Sequence, residues 1–180
     1  SSYPNNNAFV NFGITMNYED VQTKSKKFAA YLQNVLGLKK GDRIAMMMPN
    51  LLQYPVAIFG ALRAGLIVVN VNPLYTPREL EHQLRDSGAK AILIFENSAH
   101  VLSAVIENTE IEHVIVTKIG DFLGPIKGSL MNFVVKYLKR MVPRYSLPGK
   151  IDFKSTLGRP VTDLDEAPIS IDDLAFLQYT

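Results

Sequence analysis

Leu66-Ile67-Val68-Val69-Asn70-Val71, then Thr76-Pro77-Arg78-Glu79, then Ala91-Ile92-Leu93-Ile94-Phe95 decide the fold of this chain. The first and third stretches are short and almost wholly apolar, with many β-branched residues. That is the composition of strands covered on both faces. Between them, Thr76 stands where a helix N-cap belongs, with Pro77 at the first helical position and Glu79 at the third. This spacing predicts a capping box, and the helix it opens runs to Gly88. Strand, helix, strand at this spacing is a βαβ unit, which implies parallel strands.

The same rhythm repeats on either side. Asn17 predicts the N-cap of a helix running to residue 36, with Val21, Phe28, Leu32 and Val35 on one side and Gly37 as its stop. Residues 43–48 predict a strand ended by Pro49-Asn50, and Asn50 predicts the cap of a helix over 51–64 closed by Gly65. A helix is expected over about 98–107, and His113-Val114-Ile115-Val116-Thr117 reads as a fourth strand. The expected fold class is α/β, a largely parallel sheet with flanking helices on both faces.

Composition bounds the function. An apolar fraction of 47% over 180 residues supports a sizeable core. No apolar run approaches the ~20 residues of a membrane span. With no cysteine and no Asn-x-Ser/Thr site, the chain leans towards a cytoplasmic setting without a disulfide framework. His82, His100 and His113 are too scattered for a metal triad, so no metal ligands are expected. Gly-x-Gly-x-x-Gly, a Walker A loop and a nucleophile elbow are all missing, and no catalytic residues are expected in 1–173. Gly60 and Gly65 read as helix-packing and C-cap residues.

The net charge of +2 hides three blocks. Residues 1–121 carry eleven basic and eleven acidic residues and form the α/β core. Residues 122–150 carry six bases and no acid, and form an amphipathic helical insertion. Residues 151–180 carry six acids against two bases; they read as loop, with at most a short strand at Ile151-Asp152-Phe153, and then a terminal strand. Within 127–142, Leu130, Phe133, Val134, Tyr137, Leu138 and Met141 fall on one arc of a helix that Pro143 ends. Asn132, Lys136, Lys139 and Arg140 fall on the opposite arc. Two readings stay open. In one, the apolar arc packs on the domain and the basic face is solvated. In the other, the helix lies on anionic lipid, with Phe133, Lys136, Tyr137, Lys139 and Arg140 as contacts. Nucleic acid is not expected, for want of a second basic patch.

Residues 174–177 read as a short buried strand, and Gln178-Tyr179-Thr180 as the start of a polar loop. Such a strand-to-loop junction is where nucleotide folds place a phosphate cradle. The expectation is an amino-terminal piece of a larger enzyme.

Four blocks carry a specific resemblance: residues 16–21, 41–50, 60–65 and 69–80. With residues 174–180 after them, their order and spacing resemble the amino-terminal part of adenylate-forming acyl-CoA synthetases, most of all bacterial long-chain fatty acid–CoA ligases. That resemblance implies ATP-dependent activation of a fatty acid to an acyl-adenylate, with Mg²⁺, and then transfer to CoA. It implies that Tyr179 and Thr180 begin the ATP/AMP motif. It also implies that Asn72-Pro73-Leu74-Tyr75 lies near the cleft between subdomains, by the CoA passage. Expected partners are a long-chain fatty acid, CoA, the remainder of the enzyme's own chain, an anionic membrane surface on its cytoplasmic side and a second copy in a homodimer. This stretch alone is expected to be an inactive scaffold. The alternatives are an adenylating ligase for another carboxylic acid, or a membrane-interaction module.

Overall fold

The computed structural model describes residues 3–158, 164–165 and 167–179. Strands β3 (Arg43–Met47), β4 (Ile67–Asn70), β5 (Ala91–Phe95), β6 (His113–Thr117), β7 (Ile151–Asp152) and β8 (Phe176–Gln178) form one parallel sheet, ordered β7-β6-β5-β3-β4-β8. Alternation along the strands divides the apolar residues between two cores. Ile44, Met46, Val68, Leu93 and Ile115 face α1 (Tyr18–Asn34) and α2 (Gln53–Arg63). Ala45, Met47, Val69, Ile92, Ile94 and Val116 face α3 (Pro77–Ser87) and α4 (Ala99–Ser103). Helices on both faces explain the near-continuous apolar strands.

The predicted capping box is present. Thr76 Oγ1 accepts from Glu79 N, Glu79 Oε2 accepts from Thr76 N at 2.8 Å, and Gly88 closes the helix at φ 57°. Asn17 caps α1 by accepting from Asp20 N at 2.8 Å. Gly60 lets α1 and α2 approach closely, since a Cβ there would meet Phe28 at 2.7 Å.

Three expectations fail locally, and one element was not foreseen. Asn50 caps nothing: α2 starts after Leu52 with no side-chain cap, and Gln53 instead turns in to donate to Lys118 O at 2.8 Å. The helix expected over 98–107 breaks into α4 flanked by 3₁₀ turns at Glu96–Ser98 and Ile106–Asn108. A short helix, α6 (Phe153–Thr156), follows β7 in the region read as loop; it carries the fully buried Phe153, whose ring meets Phe28 edge-on at 5.1 Å. An antiparallel hairpin, β1 (Asn7–Asn11) and β2 (Ile14–Asn17), precedes everything the pattern predicted. Its turn is Phe12-Gly13, both at positive φ (50° and 72°), the combination of a type I′ turn.

The basic insertion is helical but inverted. Helix α5 (Pro125–Phe133) continues as a π-helical turn over Val134–Leu138 and stops at Arg140, φ 52°, before reaching Pro143. Its apolar arc is turned outwards: Leu130, Phe133, Tyr137, Leu138 and Met141 are 52–68% exposed. Two residues of its polar arc, Asn132 and Lys136, grip the body. Gly120 N donates to Asn132 Oδ1 at 2.9 Å, and Lys136 Nζ lies 3.6 Å from the buried Glu96 carboxylate. The reason is steric: a Cβ on Gly120 or Gly128 would sit 2.2 Å from the other's carbonyl oxygen. Only a side of the helix that carries glycine fits against that loop, so the apolar arc cannot be the packed one.

Candidate functional site at the carboxyl edge of the sheet

Six parallel strands align their carboxyl ends along one edge, where open α/β sheets bind their ligands. Two polar clusters stand there. The first joins β4 and β8. Asn70 Nδ2 donates to Gln178 Oε1 at 3.0 Å, Tyr54 OH donates to Asn70 Oδ1 at 2.7 Å, and Gln83 Nε2 donates to Asn70 O at 2.8 Å. Burial raises the Tyr54 phenol, so the hydroxyl stays a donor. Gln83 is 2% exposed, and among the described residues its Oε1 has no partner. A single asparagine in an apolar strand thus organises groups from two helices and two strands.

Tyr179 extends this cluster. Its OH donates to Asp86 Oδ2 at 2.6 Å, and its ring packs beside the α3 core. Desolvation, then the hydrogen bond and the charge of Asp86, push the phenol up to about 12. Thr180 lies outside the described residues. Residues 174–177 are less covered than expected: among the described residues only β4 pairs with β8, an edge strand, and Leu174 and Phe176 are exposed. Asn72 forms a tight turn by accepting from Leu74 N at 3.0 Å, which leaves Leu74 86% exposed.

The second cluster joins β5, β6 and the insertion. Glu96, 6% exposed, accepts from Tyr145 OH at 3.1 Å. Lys150 Nζ donates to that hydroxyl at 2.7 Å and stands 4.2 Å over the ring. Burial, then the charge and hydrogen bond of Glu96, push the Tyr145 phenol up to about 12. Nearby, Asp121 Oδ2 accepts from Thr117 Oγ1 and Lys118 N, while burial raises its carboxyl. Burial opposes the charge of Lys118, but the 3.0 Å bond to Asp152 and the negative charges of Asp152, Glu96 and Asp121 together outweigh it and raise the lysine.

Of the residues singled out in the sequence, Tyr179 reaches the edge. Lys136 is drawn to Glu96, while Phe133, Tyr137, Lys139 and Arg140 stay exposed on the insertion. Asn70, Gln83, Glu96 and Tyr145 were not foreseen; the available signals were a polar residue inside an apolar strand and a carboxylate directly after one. No group of three or more His, Asp or Glu among the described residues could hold a metal.

The match to the family described as AMP-binding enzyme spans residues 1–180. The chain belongs to that family. Among AMP-binding enzymes, it is 60% identical over 179 residues to a long-chain-fatty-acid–CoA ligase of Salmonella typhimurium, covering 99% of this chain and 32% of the relative. A long-chain-fatty-acid–CoA ligase of Escherichia coli O157:H7 is likewise 60% identical, with the same coverage. The chain thus spans about a third of the length of the curated relatives it matches. An anthranilate CoA ligase solved with anthranoyl-AMP shares the fold, with a TM-score of 0.78 at 19% identity over 99% of this chain and 30% of that one. The α/β architecture of the chain is therefore the fold of that ligase's matching part.

Proposed function

We propose that this chain is the scaffold part of an AMP-forming ligase that joins a long-chain fatty acid to CoA. The observation that carries the reading is the 60% identity, over 99% of the chain, to long-chain-fatty-acid–CoA ligases. A carboxylate has no good leaving group. Attack on the α-phosphate of ATP releases pyrophosphate and leaves AMP on the acyl carbon, and the CoA thiol then displaces AMP. In this reading Tyr179 and Thr180 open the nucleotide loop, and the Asn70 cluster holds β8 in register so that the loop leaves the sheet at a fixed point. Blocks 1–121, 122–150 and 151–180 act as core, insertion and lead-in to that loop. Magnesium, the groups that close on ATP and the acid-binding walls belong to the other two-thirds of the ligase. Another carboxylic acid as substrate has less in its favour, given the names of these relatives.

The outward apolar arc of α5 supports a further element of the reading, contact with an anionic membrane surface on its cytoplasmic side through Phe133, Tyr137, Lys139 and Arg140. Among the described residues no helix is long and apolar enough to cross a membrane, so the contact would be interfacial. The deciding experiment for the ligase reading is fatty-acid-dependent ATP–pyrophosphate exchange by a protein joining this chain to the remaining two-thirds, with the chain alone as control. Exchange with long-chain acids in the longer protein only is expected. No exchange with any fatty acid would overturn the reading.

A further inference from the structure

The inverted seating of α5 creates a hollow that the carboxyl-edge clusters do not touch. Phe12 and Ile14 of the hairpin face Leu123, Leu130, Met131 and Val134 of the insertion across a trough of about 350 Å³. That lies within the roughly 300–1,000 Å³ of small-molecule sites. Among the described residues, Lys127 is the one charged residue lining it. Lys127 has no hydrogen-bond or ion-pair partner among the described residues, and no acid occurs anywhere in residues 122–150. The Ile14 wall is shared with a second hollow of about 470 Å³, lined largely by apolar residues such as Met16, Leu52, Phe122 and Leu157.

One wall is also strained. Phe12 holds φ at 50°, a left-handed conformation that non-glycine residues rarely adopt, and its ring is 59% exposed. An aromatic ring kept in that conformation without burial inside its own chain is suited to packing against something that enters the trough.

We propose that the trough between the β1–β2 hairpin and α5 is an accessory, non-catalytic site for a monomeric long-chain carboxylate, its chain laid along Ile14, Leu130 and Val134 and its carboxylate paired with Lys127. The choice of a fatty carboxylate rests on the ligase reading above. The chemistry of the trough is independent of it: an apolar channel with one unpaired cation selects an amphiphile with a single negative head. Bound there, the acid would wait on the scaffold, beside the outward face of α5, before reaching the site of activation.

Equilibrium dialysis of the 180-residue chain against radiolabelled myristate, kept below its micellar concentration, tests the proposal. Saturable one-to-one binding is expected. Lys127→Glu and the trough-filling Val134→Trp should each weaken it by about tenfold or more, with circular dichroism and melting unchanged. Ile126→Ser, at an exposed position that does not line the trough, should leave it intact. If Val134→Trp disturbs folding, Lys127→Gln and Leu130→Ala serve as milder variants. The proposal is overturned by absence of saturable binding, by binding indifferent to these substitutions in folded protein, or by myristyl alcohol binding as tightly as myristate. It is also overturned if anionic vesicles bind while monomeric myristate does not. Dialysis reports on the trough and pyrophosphate exchange on the ligase reading, so either can fail without the other.

Discussion

Asn70 shows how much one side chain can organise. Its amide and main-chain oxygen engage Tyr54, Gln83 and Gln178, fixing the carboxyl end of β4 to its neighbours. The two strongly shifted phenols make the same point in a measurable way. For Tyr145 and Tyr179, burial and a carboxylate partner favour the neutral form, so each folded pKa, about 12, lies above the ordinary value of about 10. A raised pKa means that this contribution to stability is fully present below pH ~10 and is lost as pH rises through 12. In a spectrophotometric titration of the eight tyrosines, two should ionise last, and Tyr145→Phe and Tyr179→Phe should each remove one late step. Tyr145→Phe should also flatten the loss of stability between pH 10 and 12. Eight phenols titrating together would refute this account.

At the scale of elements, the insertion helix is the informative case. Its seating depends on Gly120 and Gly128 crossing at contact distance and on the Asn132 bond beside them. Gly128→Ala should therefore act as an overpacking substitution, costing about 1–3 kcal/mol in denaturant unfolding and removing hydrogen-exchange protection from the Gly120 amide. Ser129→Ala, on the exposed side of the same turn, should do neither; unaltered protection in Gly128→Ala would show that the crossing does not hold the helix. The insertion also marks the limit of what the sequence discloses. Strands β5 and β6 and helix α3 were legible to the residue, because apolar runs and a capping box are local signals. Helical periodicity likewise revealed two arcs on α5, but it does not say which arc is buried. That was decided by a loop eight residues upstream of Gly128, a contact no periodicity reports. The hairpin escaped because its turn places phenylalanine where asparagine or glycine is usual. The edge clusters escaped because Asn70 and Glu96 acquire meaning only when β8 and Tyr145 come alongside.

For the whole molecule, the segregation of charge matters most. Six basic residues and no acid fall within 122–150, on a segment whose helix turns Leu130, Phe133, Tyr137, Leu138 and Met141 outwards. If this face meets lipid, co-sedimentation of the chain with vesicles should rise with anionic lipid and fall with salt. At about 1 kcal/mol per basic residue near the surface, Lys139→Glu with Arg140→Glu should weaken partitioning by at least roughly thirtyfold. Binding indifferent to that reversal would rule the contact out. Lys136→Glu should act differently, by repelling Glu96 and loosening the helix. The sheet carries one further consequence, for biosynthesis. Strand β4 pairs on one side with β8, and Gln178 stands 108 positions after its partner Asn70. At about 5–20 residues per second, a ribosome needs roughly 5 to 20 s to make that span. Throughout that interval the nascent protein carries an unpaired sheet edge, and a chaperone or the wrong strand has that long to find it first.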